Sequence, residues 1–217
     1  KKATLKVLSD KPVAPSKLTA EKATALTNEK IKVSLTDVVR GKDDVISDDI
    51  SQLISLKDGD TSFAFTKSGK DYVAEFTSNK AGPHKLDLYY KAPLGESVAT
   101  DLSTSISVSA DNNAVDEAHS DVKGVDGVVT EIGSPTGTIT LSLKDVDDNI
   151  LGKVPAGSIK LTPNGVAGAV IIDDKPVIDE FKGTYTYKVS AKKAGDYIIN
   201  LQVGKTVFKD KKAKLIV

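Results

Sequence analysis

Val33-Ser34-Leu35-Thr36-Asp37-Val38 returns 108 positions later as Leu141-Ser142-Leu143-Lys144-Asp145-Val146. Ala81-Gly82 returns 113 positions later as Ala194-Gly195. An alternating run follows each pair, with Leu86, Leu88 and Tyr90 in one and Ile199, Leu201 and Val203 in the other. A third echo links the two ends: Lys1-Lys2-Ala3-Thr4-Leu5-Lys6-Val7 shares the pattern Lys-Lys-Ala-x-Leu-x-Val with Lys211 to Val217. Two copies of one small β domain account for this better than one large fold. The expected division is residues 10–110 and 111–217. Residues 1–9 then serve as a linker or as the closing strand of a preceding domain.

The 217 residues hold 30 basic and 30 acidic side chains, so no long-range field gathers nucleic acid or anionic lipid. Nucleic acid and direct membrane contact are not expected as partners. Hydrophobic residues make up 39% and aromatic ones only 5%, so the cores must be built from Val, Ile, Leu and Ala, a composition that suits stacked sheets. The lack of Cys removes disulfides, thiolate metal ligands and thiol catalysis together. No run is apolar for long enough to cross a bilayer as a helix. The chain starts at Lys1, which reads as a window on a longer polypeptide.

Period-two alternation recurs in Ile31 to Leu35, Tyr72 to Phe76, His84 to Tyr90 and Ile106 to Val108. It resumes at Ile139 to Leu143, Ile159 to Leu161, Tyr185 to Val189, Tyr197 to Val203 and Leu215 to Val217. Asp58-Gly59-Asp60, Ser68-Gly69-Lys70 and Pro163-Asn164-Gly165 are turn signals between such runs. Short, evenly spaced strands predict an all-β sandwich in each half. Asp43 to Leu56 is the one stretch where a helical turn competes.

A closing strand that ends in an Ala-Asp turn, a strand that runs into Asp-x-x-x-Asn, and an Ala-Gly pair before an alternating strand resemble the group 1 bacterial immunoglobulin-like domain. That domain occurs in tandem in the invasin and intimin adhesins. The second copy carries the resemblance in Leu143 to Gly152 and Ala191 to Tyr197. The first carries it in Val33 to Asp37 and Thr77 to Gly82, with a hairpin after Asp37 that reads as longer and lacks the Asn. The resemblance implies two tandem immunoglobulin-like β-sandwiches in an extended stalk on a bacterial outer surface.

No enzyme site emerges. The chain has two histidines, His84 in an alternating strand, where a sheet or surface residue is expected, and His119 in Asp116-Glu117-Ala118-His119-Ser120-Asp121, where oxygen and imidazole ligands could meet a divalent ion but a solvated polar segment near the junction is the expected role. Asp145, Asp147 and Asn149 stand at alternate positions, as the first ligands of a calcium loop do. The sixth position of such a loop is here Ile150 where Gly is wanted, and the twelfth is Ala156 where a bidentate carboxylate is wanted. An Asp-rich hairpin is therefore the expected role, with calcium as the one cofactor this set could take. Glu75-Phe76, Glu180-Phe181 and Asp196-Tyr197 each set an acid beside an aromatic, and strand alternation turns one of each pair into the core. Lys209-Asp210-Lys211-Lys212 reads as edge-strand charge that discourages aggregation.

The expected function is that of stalk or spacer domains of an extracellular, cell-surface adhesin. Their partners are neighbouring domains of the same chain, with a host protein or glycan engaged through a distal module. A stiff junction near Ala110 to Val115, with little response to calcium, belongs to that expectation. The alternative is a ligand-binding immunoglobulin-like module of a phage virion surface or of a carbohydrate-active protein.

Overall fold

The computed structural model describes residues 10–40, 44–124, 132–133, 137–165 and 168–217, together with the backbone of 128–129. The strand expected within 1–9, and Asp43, lie outside these residues. The chain divides into two compact units that meet in sequence at Ser109 and Ala110.

The first unit contains β1 (Lys17–Ala20), β2 (Thr24–Leu26), β3 (Ile31–Thr36), β4 (Val39–Arg40), β5 (Asp44–Val45), β6 (Ile54–Asp58) and β7 (Thr61–Ala64). It continues with β8 (Thr66–Ser68), β9 (Asp71–Phe76), β10 (Gly82–Lys91) and β11 (Ser97–Ser109). One sheet has the order β1-β3-β9-β8 and the other β2-β11-β10-β6-β7. The first strand is split between them: β1 runs antiparallel to β3, and β2 then crosses to lie parallel to β11. Ile31, Val33 and Leu35 alternate inward from β3, as the sequence pattern requires, and meet Leu56, Leu86, Leu88 and Ile106 of the opposite sheet. Each such side chain, fully removed from water, contributes about 1.5–3 kcal/mol.

The second unit contains β12 (Asp121–Lys123), β13 (Val128–Val129), β14 (Gly137–Ser142), β15 (Ile159–Pro163) and β16 (Val170–Ile172). It ends with β17 (Val177–Asp179), β18 (Thr184–Ala191), β19 (Asp196–Val203), β20 (Thr206–Val207) and β21 (Ala213–Ile216). Its sheets repeat the plan: β12-β14-β18-β16, with β17 also on β18, and β13-β21-β19-β15, with β20 on β19. Again β12 is antiparallel to β14 while β13 lies parallel to the last strand, β21. Ile139, Leu141, Tyr185, Ile199, Leu201 and Leu215 fill the core between the sheets.

The ladders place the repeat two residues away from where the sequence aligns it. Leu35 faces Tyr72 and Leu141 faces Tyr185, so Leu35 corresponds to Leu141 rather than to Leu143. Because side chains alternate with period two, a slip of two leaves the apolar pattern intact and hides the error. Asp37 is therefore no counterpart of Asp145. It is an added residue with φ of 52°, exposed and 3.1 Å from Lys17 Nζ. The hairpins beyond it are of equal span. Arg40 pairs Asp44 in the first unit, and the Asp145 N–H donates to the Asn149 carbonyl in the second.

The Ala-Gly pairs, by contrast, correspond as the sequence suggests. Gly82 (φ 144°) lies opposite Val108, and Gly195 (φ 154°) exchanges both backbone hydrogen bonds with Val217. These backbone angles favour glycine. The described part of Asp43 to Leu56 forms β5, turns and the start of β6. The one helical turn among the described residues is the 3-10 turn Ala156–Ser158.

Candidate functional site

Each unit is tied together at the pole where its chain comes in. In the second unit the Ser120 hydroxyl accepts from the Lys144 N–H at 3.0 Å and donates to the Lys144 carbonyl at 3.3 Å. In the first, Ser16 does the same with Val39, at 2.9 and 3.4 Å. Both serines are buried and immediately precede the first strand. Behind each lies a tyrosine. The Tyr72 hydroxyl accepts from the Ile50 N–H at 3.2 Å and donates to the Asp48 carbonyl at 3.0 Å. The Tyr185 hydroxyl accepts from Val154 N–H at 2.8 Å and donates to the Leu151 carbonyl at 2.9 Å.

The second unit adds a carboxylate clasp. Glu117 accepts the backbone N–H groups of Lys209, Asp210 and Lys211 at 2.8, 2.8 and 2.9 Å. Burial raises its pKa, but the three donors outweigh burial and the net shift is downward. Lys211 Nζ donates to the Ala118 carbonyl at 3.2 Å and also to that of Ser120. Thr206 Oγ1 donates to the Val115 carbonyl at 3.0 Å. The incoming segment is thus held against the β20–β21 loop. This role of Glu117 leaves no local mark in the sequence, since its partners are more than ninety residues away and are backbone groups.

The two histidines sit in separate units. His84 Nδ1 is 2.6 Å from Asp58 Oδ2 and its Nε2 is 2.9 Å from the Lys80 carbonyl, with the ring 5.5 Å from that of Phe76. His119 Nδ1 lies 2.7 Å from Asp116 Oδ2, which also accepts the His119 N–H at 3.0 Å. The His119 contact holds the Asp116 carboxyl below its ordinary range. Neither ring is hydrogen-bonded to a hydroxyl or amine nucleophile among the described residues.

Asp145, Asp147 and Asn149 share one turn. Asp145 is 4% exposed. Its Oδ1 accepts the N–H groups of Asp147 and Asn149 at 3.0 and 2.9 Å, and its Oδ2 accepts Asn149 Nδ2 at 2.8 Å. Both oxygens are engaged inside the hairpin, the use that short acceptors make of turns. Among the described residues no group of three or more His, Asp or Glu is arranged to hold a metal ion.

Two of the acid–aromatic pairs keep to strand alternation, with Phe76 in the core and Tyr197 packed against it. Phe181 departs from it and is 94% exposed, because it lies in the turn after β17, where the Asp179 carboxylate accepts its N–H at 3.1 Å. The Lys209 to Lys212 run is the loop that Glu117 holds.

Two open clefts among the described residues each have a volume of about 400 Å³. One in the first unit is lined by Thr36, Asp37, Val45 and Asp71 among others. The other lies in the second unit where β15 and β16 form the unpaired margins of the two sheets, with Tyr187 against it. The Tyr187 hydroxyl is buried and has no hydrogen-bond partner among the described residues. Burial first, and then neighbouring Tyr185, push its pKa up to about 12.

Solved structures match this fold over most of the chain. The chain is similar to FdeC, an Escherichia coli adhesin, with a TM-score of 0.63 and 19% identity over 99% of this chain and 66% of that one. The fold is that of the bacterial immunoglobulin-like adhesin domains. A second immunoglobulin-like adhesin structure is InvD of Yersinia pseudotuberculosis, with a TM-score of 0.57 and 16% identity over 93% of this chain and 57% of that one. Invasin, a bacterial integrin-binding protein, gives 0.61 and 18% over 93% of this chain and 39% of its own. The chain thus spans less than two thirds of each of these adhesin structures. No protein-family model matches the sequence, and no curated protein matches it either.

Proposed function

We propose that the two immunoglobulin-like units are spacer modules in the stalk of a bacterial surface adhesin, carrying a binding module that lies elsewhere in the polypeptide. The observation that carries this reading is the path of the chain through each unit. In the second, the chain arrives beside the β20–β21 loop through Glu117 and departs at Val217, paired to Gly195 at the far end of β19. In the first, it arrives at Ser16 beside the end of β3. It departs at Ser109, whose carbonyl accepts the Thr27 N–H just before β3 begins. Arrival and departure at opposite poles let each unit add its own length to a chain of modules. The junction is short, because Ser109 is bonded within the first unit and Ala110 belongs to the core of the second. The adhesin fold of the similar structures supports a cell-surface setting and a non-catalytic role.

The test is a module exchange in the parent surface protein. Deletion of residues 110–217 should reduce attachment to host cells, and replacement by an unrelated immunoglobulin-like module of similar length should restore it. Undiminished attachment after deletion, or failure of the replacement at equal surface display, contradicts a spacer role.

A further inference from the structure

We propose that Asn164-Gly165, in the turn that follows β15, is a self-modifying site at which the Asn164 side chain loses ammonia and becomes aspartate or isoaspartate without an enzyme. The reaction needs an asparagine whose side-chain carbon can be attacked by the next backbone nitrogen, and the Cβ of that next residue is the usual obstruction. The chain has seven asparagines, and Asn164 is the one that precedes a glycine. The fold requires that glycine. Gly165 has a φ of 109°, a backbone conformation that a side chain would strain.

The surroundings suit the reaction. Asn164 and Gly165 are both exposed, so hydroxide and water reach them. The Gly165 N–H, the nucleophile once it loses its proton, makes no hydrogen bond among the described residues, whereas the Asn164 N–H is held by the Ile198 carbonyl at 2.8 Å. Asn200 Nδ2 donates to Asn164 Oδ1 at 2.6 Å, where it draws charge from the amide carbon and stabilises the oxyanion that attack creates. Asn149 is the contrasting case: it is buried, its Nδ2 is engaged on Asp145 Oδ2 at 2.8 Å, and branched Ile150 follows it.

Water alone closes the balance. The Gly165 nitrogen bonds to Asn164 Cγ, the Cγ–Nδ2 bond breaks, and the proton lost from Gly165 ends on the departing nitrogen, which leaves as ammonia. Water then opens the resulting cyclic imide. Addition at Cγ breaks the new bond and gives aspartate. Addition at the main-chain carbonyl breaks the original peptide bond and leaves Gly165 joined through Cγ, as isoaspartate, which lengthens the main chain by a methylene. Either product sets a carboxylate beside Asn200 in place of a neutral amide. The site is independent of the spacer role: a spacer without it remains a spacer.

The test is incubation of the full chain at mildly alkaline pH, in native buffer and in urea. Peptide mass spectrometry locates each exchange of amide for acid, and labelling by an isoaspartyl methyltransferase scores the isoaspartate. In native buffer Asn164 should convert first, at a rate that rises in proportion to hydroxide, and Asn164→Gln should abolish the signal. Asn200→Ala should slow the native conversion severalfold and leave the conversion in urea unchanged, because the donor is in place only in the folded unit. Asn200→Asp, which keeps the size of the side chain and removes its donor, should do the same. The proposal is overturned if Asn164 keeps its amide in native buffer, if another asparagine converts before it, or if neither Asn200 substitution slows the native conversion.

Discussion

The Tyr185 hydroxyl donates to the Leu151 carbonyl at 2.9 Å while it accepts the Val154 N–H, and so closes the loop between β14 and β15 onto the core. Tyr72 does the same for the first unit through Asp48 and Ile50. Removal of either hydroxyl leaves a buried N–H without its partner. Tyr72→Phe and Tyr185→Phe should therefore each cost about 1–3 kcal/mol, read as the shift in urea midpoint at constant slope. Tyr187→Phe, with no hydrogen bond to lose, should leave the midpoint unchanged or raise it.

The serine before the first strand is a second paired device. Ser16→Ala and Ser120→Ala should each cost about 1 kcal/mol, seen in thermal unfolding as a fall of several degrees for a domain of this size. An unchanged Tm for both would mean that the Val39 and Lys144 N–H groups find other partners.

Glu117 predicts a pH dependence of the second unit's stability. Its folded pKa lies below the unfolded one, as does that of Asp116. The unfolded chain therefore binds more protons in the intervening window, and stability rises with pH there. The stabilisation is complete above the ordinary carboxylate range and is lost as pH falls through the depressed folded values. Denaturant unfolding of residues 110–217 from neutral to acid pH should show this loss, and Glu117→Gln should be less stable at neutral pH with a flatter profile.

Asp145 has no oxygen free of N–H donors. Millimolar calcium should therefore leave the Tm of the chain unchanged, whereas a site of micromolar affinity would raise it measurably. Asp145→Ala should destabilise the second unit with or without calcium, because the hairpin loses the acceptor of three donors.

The sheets were legible in the sequence because strand alternation is a local property, and the inward residues of β3, β9, β14 and β18 all follow it. The Ala-Gly pairs were legible because a left-handed backbone leaves a residue-type mark at Gly82 and Gly195. The register of the repeat was not, since Val33 to Asp37 aligns equally well two residues away on apolar pattern alone, and only the Tyr72 and Tyr185 pairings decide it. The Glu117 clasp and the unpaired Tyr187 hydroxyl were hidden for a different reason. Each depends on groups remote in the chain, backbone N–H donors in one case and the absence of a partner in the other. Phe181 escapes strand alternation because it lies in the turn after β17, where a period of two no longer sets the direction of a side chain.

Each immunoglobulin-like sandwich has its own core and its own serine and tyrosine ties, and each should therefore fold without the other. Equilibrium denaturation of the whole chain beside fragments 10–109 and 110–217 tests it most directly. Both fragments should fold, and the curve of the whole chain should equal the sum of theirs, with Tyr72→Phe shifting only the first component and Tyr185→Phe only the second. Unfolded fragments, together with one shared transition that both substitutions shift equally, would contradict it.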